Sequence, residues 1–139
     1  MRRLLVLAAA AFVLAGCASP AWDEHDYELK AQESAKSVAS TLEIVRLAVR
    51  DEHRLVTPYL KTLLTEAAKD VGGVNAQFGA VQPPTGRSDE LRERLLDLTE
   101  QAEDEVDELL IQVRRDGIED PARAVRQLDD LARKLQAMA

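Results

Sequence analysis

The chain has 139 residues with 25 acidic and 18 basic side chains, a formal charge of −7. That balance disfavours nucleic acid and anionic headgroups as partners, because phosphate recognition needs a surplus of Lys and Arg. One cysteine, Cys17, excludes an internal disulfide, and an aromatic content of 4 % leaves the core to Leu, Val, Ala and Ile, which favours packed helices.

Arg2 and Arg3 precede an apolar run from Leu4 to Ala15. About a dozen residues suit the hydrophobic part of an export signal, whereas crossing a bilayer takes roughly 20. Leu14-Ala15-Gly16-Cys17 resembles the lipobox of bacterial lipoproteins. The resemblance implies that residues 1–16 are a signal peptide and that Cys17 becomes the lipid-bearing N-terminus. It places the protein on the outer face of the cytoplasmic membrane. Two acyl chains, each buried methylene contributing about 0.8 kcal/mol, would hold it there stably. The mature chain keeps 16 basic and 25 acidic side chains, near −9, so the membrane link is covalent rather than electrostatic. Its length suits one domain.

Residues 17–25 read as a tether. From Asp26 onward, Ala31, Ala35, Val38, Leu42, Val45 and Val49 step by four and three, one apolar seam of a helix over about 26–55. Ile44, Leu47, Ala48 and Leu55 widen that seam. Thr57-Pro58 predicts an N-cap with proline at the first helical position, opening a helix over 58–79. Its seam is Leu60, Leu64, Ala67, Val71, Val74 and Phe78. Gly72-Gly73 interrupt it at a cost of roughly 2 kcal/mol, marking either a close helix contact or a local break. The prolines and glycines of residues 79–86 form a loop. Ser88 is the expected cap of a third helix over 88–116, with the seam Leu91, Leu95, Leu98, Ala102, Val106, Leu109 and Val113 and Gly117 as C-terminal cap. Asp120-Pro121 starts a fourth over 120–138, carried by Val125, Leu128, Ala132 and Leu135. Four amphipathic helices on short links predict an all-α, antiparallel up-and-down bundle over 26–139. The alternative is an elongated three-helix coil with a loose fourth helix.

Two charge stripes stand out. Glu100, Asp104 and Glu108 share a face of the third helix, and Arg46, Arg50 and Arg54 one of the first. They are candidates for an interaction face, or for pairing with each other across a groove. Catalysis finds little support. His25 falls in the tether and His53 at the end of the first helix, and there is no HExxH, GxSxG or phosphate loop. The seams encode no polar pocket, so neither cofactor nor metal is expected, although small residues such as Ala31, Ala35 and Ala67 leave room for an apolar ligand.

The segments YELKAQESAKSVASTLEIVRLAV, PYLKTLLTEAAKDVGGVNAQFGAVQPP and SDELRERLLDL resemble a group of small helical lipoproteins from high-GC Gram-positive bacteria. That resemblance implies the membrane address and the bundle, and it transfers no catalytic residue. The murein lipoprotein offers a second comparison, but its terminal lysine has no counterpart here: the chain ends Gln136-Ala137-Met138-Ala139, with Lys134 inside. Two readings follow. The first is a non-enzymatic interaction module of the cell envelope that docks an unidentified envelope protein, through the acidic face or the region of Tyr59 and Phe78. The second is a binding protein for a small apolar or cationic ligand held among the helices.

Overall fold

A computed structural model describes residues 23–139, so the lipobox, Cys17 and most of the expected tether lie outside the described residues. Helix α1 runs Glu24–Arg50. Its start is fixed by Asp23, whose carboxylate accepts from the Asp26 amide at 2.8 Å, satisfying one of the orphan donors of the first turn. The helix therefore begins before His25, which belongs to its first turn rather than to the tether. It also ends before residue 55. The chain tightens into a 3-10 turn over Glu52–Arg54, where the Arg54 and Leu55 amides donate to the carbonyls of Asp51 and Glu52 at 2.9 and 3.0 Å.

Helix α2 spans Thr57–Gly79. Val56, in an extended conformation, is its cap residue, and the Tyr59 and Leu60 amides donate to the Val56 carbonyl. Thr57 is thus the first helical residue and not the cap. The helix passes through Gly72-Gly73 unbroken. A Cβ on Gly72 would come within 2.7 Å of the Glu103 carboxylate, whereas one on Gly73 would meet nothing within 4 Å. Of the two glycines, Gly72 marks a close approach.

Helix α3 spans Gly86–Arg115, capped by Thr85 rather than Ser88. Ser88 is buried within its first turn, and the Thr85 hydroxyl bonds the Glu24 carboxylate of α1. At the other end Gly117 takes φ +110°, and its amide donates to the Gln112 carbonyl at 3.1 Å, the left-handed stop expected of a glycine there. Helix α4, Pro121–Gln136, is capped as the sequence indicates: the Asp120 carboxylate accepts from the Arg123 amide at 2.9 Å.

The fold is an all-α four-helix bundle. Helix α1 packs most extensively on α4 and α2 on α3, while the α1–α2 and α3–α4 contacts close the ring. Neighbours run antiparallel. The rings of Tyr27 (α1) and Phe78 (α2) lie 5.3 Å apart. Thr99 on α3 donates to the Asn75 side chain on α2 at 3.0 Å. Thr85 and Glu24 join the starts of α1 and α3.

The seams read from sequence line the core, where Leu42, Leu64, Leu95, Leu109, Leu128 and Leu135 are among the largest fully buried side chains. Leu91, Val74 and Val125 are partly buried at its edge. Helix α4 is not loose, since Ala124, Leu128, Leu131, Ala132 and Leu135 are all buried. Ile44 and Leu47, by contrast, point outward, away from the α1 seam they were expected to widen.

Candidate functional site

The two charge stripes do not meet. Arg46 pairs with Glu43 on its own helix at 2.8 Å, and Arg50 with the adjacent Asp51 at 2.9 Å. Hydrogen bonding from Arg50 holds the Asp51 carboxyl below the usual carboxylate range. Arg54 is exposed on the 3-10 turn. On α3, Glu100 is exposed, and Asp104 and Glu108 turn toward α4. The ion pairs among the described residues join positions no more than four apart in the chain. The exposed ones, such as Lys69–Glu66 and Lys134–Asp130, contribute little.

The acidic stripe instead borders the groove between α3 and α4. Two open clefts of about 360 and 320 Å³ follow each other there and share Glu105 and Gln127. Asp104, Glu108, Glu119, Asp120 and Asp130 supply carboxylates, with Arg123 and Lys134 as the cations. Burial pushes the Glu105 carboxyl above its ordinary value; Arg123 opposes the shift and Glu108 adds to it. Asp130 is held low by its hydrogen bond from Lys134. Among the described residues no group of three or more His, Cys, Asp or Glu is arranged to hold a metal ion, and no helix is long and apolar enough to cross a membrane.

The end of the bundle near the start of α1 combines buried side chains with an open cleft of about 300 Å³ lined by Ala31, Ser88, Leu91 and Met138. Phe78 is buried against Tyr27, and Arg92 reaches across from α3 to donate to the Gly79 carbonyl of α2 at 2.6 Å. A cation on the last carbonyls of a helix complements its dipole. Two donors stay buried without an acceptor in the protein, Tyr27 Oη and Arg92 Nε. Phe78 and Tyr59 therefore do not form one surface, since they occupy opposite ends of α2 and only Tyr59 is exposed.

The other end carries an apolar corner. Ile44 (58 % exposed) and Leu47 (42 %) sit on the last two turns of α1, Val56 (69 %) in the link, and Tyr59 (55 %) in the first turn of α2. Asn75 and Gly72 mark the flank of α2 that meets α3. Tyr59 lies about 160° round the helix from Asn75, turned away from the flank that meets α3. Ile44 and Leu47 lie on the face of α1 turned away from its buried seam, close in sequence to Val56 and Tyr59 across the link. Sequence periodicity assigned Ile44 and Leu47 to the core and did not single out Val56. The available signal was angular: Leu47 and Ile44 fall opposite the four-three seam when the helix is projected at about 100° per residue.

No known protein family matches the chain, and no curated protein or solved structure is significantly similar to it.

Proposed function

We propose that this protein is a lipid-anchored, non-enzymatic interaction module of the cell envelope, held by lipid on Cys17 at the outer face of the cytoplasmic membrane and docking an envelope protein. The observation that carries the reading is the apolar corner. Ile44, Leu47, Val56 and Tyr59 stay exposed on either side of the α1–α2 link, with Leu29 and Ile111 exposed elsewhere, on a chain whose seams are buried. Clustered exposed apolar residues mark contact surfaces more often than scattered ones do. Of the small residues that left room for an apolar ligand on sequence grounds, Ala35 and Ala67 are buried in the core, while Ala31 lines an open cleft of about 300 Å³ with Leu91 and Met138.

The test is chemical crosslinking in intact cells, followed by affinity purification and mass spectrometry. The reading expects one crosslinked protein recovered repeatedly with the parent chain and lost with the double substitution Ile44→Asp, Tyr59→Ser. Recovery unchanged by that substitution would remove the corner from the account. A second reading, a carrier of a small cationic ligand, rests on the acid-lined α3–α4 groove; it expects a cation-dependent rise in melting temperature that Asp104→Asn, Glu108→Gln abolishes.

A further inference from the structure

We propose that the open cleft at the end of the bundle where α1 and α3 begin binds a small zwitterion of the aliphatic α-amino-acid class. Such a site goes beyond the interaction-module reading and needs neither the apolar corner nor a lipid on Cys17.

Ala31, Leu91 and Met138 give the cleft, about 300 Å³, an apolar wall, while Glu28, Gln32, Arg87 and Ser88 supply its polar groups. Met138 is set there by a turn beyond α4, its amide donating to the Leu135 carbonyl at 2.9 Å. The volume is at the lower end of the range for small-molecule sites, roughly 300–1,000 Å³. It suits a molecule of amino-acid size.

Ser88 points to a ligand. The residue is 4 % exposed, and its hydroxyl has no hydrogen-bond partner among the described residues, where only its amide is engaged, with the Thr85 carbonyl. The polar side-chain atoms sealed away without a partner are Tyr27 Oη and Arg92 Nε. The Ser88 oxygen is not sealed, and the cleft is the opening that Ser88 lines. Protein interiors seldom leave a buried hydroxyl unbonded, because losing its water without a substitute is destabilising. Beside it, the Gly86 and Arg87 amides open α3, where the first amides lack a partner within the helix and carry the positive end of its dipole. Hydroxyl, amides and the Arg87 guanidinium make this side of the cleft a place for a carboxylate.

Glu28, on α1, sets what else the ligand carries. A plain anion is repelled by Glu28, and a plain cation by Arg87 and the start of α3. Neither Glu28 nor Arg87 is held in an ion pair among the described residues, so both charges are open to a ligand. A molecule with a carboxylate for Ser88 and Arg87 and an ammonium for Glu28 answers both, and the Gln32 amide can donate or accept beside them. Its side chain then covers Ala31, Leu91 and Met138, which favours an aliphatic one.

The chain has two methionines, Met1 and Met138. Isotopic labelling of methionine methyl groups in the full chain, held in detergent, therefore puts an NMR probe in the cleft, and Met138→Leu identifies its signal. A zwitterion site expects L-leucine to shift the Met138 methyl saturably. Isocaproate and leucinamide, which each lack one of the two charges, should bind more weakly by about tenfold or more, equivalent to 1.4 kcal/mol. Arg87→Gln and Ser88→Ala should each weaken L-leucine by a similar factor without lowering the melting temperature, since neither removes an ion pair or side-chain hydrogen bond of the fold. No saturable shift with L-leucine would overturn the proposal. Equal binding of isocaproate would make this an anion site, equal binding of leucinamide a cation site, and either would overturn it. Full-strength binding retained in both variants would place the ligand elsewhere and do the same.

Discussion

Gly72 and Gly73 are neighbours in α2 with different surroundings, and that difference can be measured. Replacing an interior helical glycine by alanine gains about 1 kcal/mol of helix propensity. Gly73→Ala adds a Cβ into open space and should realise most of that gain as a higher melting temperature. Gly72→Ala pushes a methyl to 2.7 Å from the Glu103 carboxylate. The side chain must move, so this variant should gain visibly less than Gly73→Ala.

Glu105 gives a prediction with a pH sign. Burial raises its carboxyl in the fold above the ordinary value of 4.5. A group whose folded pKa is raised supports the fold fully below its unfolded pKa, and that support is lost as pH rises through the folded pKa. Ionised Glu105 is therefore a burden near neutrality. Glu105→Gln should melt higher than the parent at pH 7, and the gap should close on acidification below the ordinary carboxylate range. A gap that stayed the same at both pH values would show that charge is not the cause.

At the scale of elements, the helices were legible because aliphatic residues recur every three or four positions while the intervening ones are polar, and that pattern has one stable solution. Thirty residues of α3 could be placed from Leu95, Leu98, Ala102, Val106, Leu109 and Val113 alone. Boundaries were harder wherever caps depend on tertiary contacts. Ser88 has the chemistry of a cap, but Thr85 takes the position and gives its hydroxyl to Glu24, 61 residues away, a bond no local pattern encodes. Likewise Val56 caps α2 without a side-chain bond, so Thr57 lost a role that propensity assigned to it. Where cap chemistry is local the reading held, as with Asp120, which accepts from the Arg123 amide. Asp120→Ala should therefore destabilise the bundle by about 1 kcal/mol, read as a lowered denaturant midpoint with an unchanged slope. The apolar corner escaped periodicity because Ile44 and Leu47 belong to no seam, and hydrophobicity without its angle suggests burial.

For the molecule as a whole, the bundle separates two ends. One is the end where α1 begins, at which Tyr27 packs on Phe78 and Arg92 reaches the Gly79 carbonyl. The other exposes Leu47, Val56 and Tyr59. Such a body projects a contact surface away from a membrane, provided that it is anchored through Cys17. The orientation of the corner depends on that anchor. The direct measurement is the intact mass of the protein extracted from washed membranes, alongside a Cys17→Ser variant. The account predicts a membrane-bound parent lacking residues 1–16 and heavier than residues 17–139 by an acylated glyceryl group, with the variant released or left as full-length precursor. A Cys17→Ser protein that matures to the unlipidated mass of the same segment and stays with the membranes would contradict it.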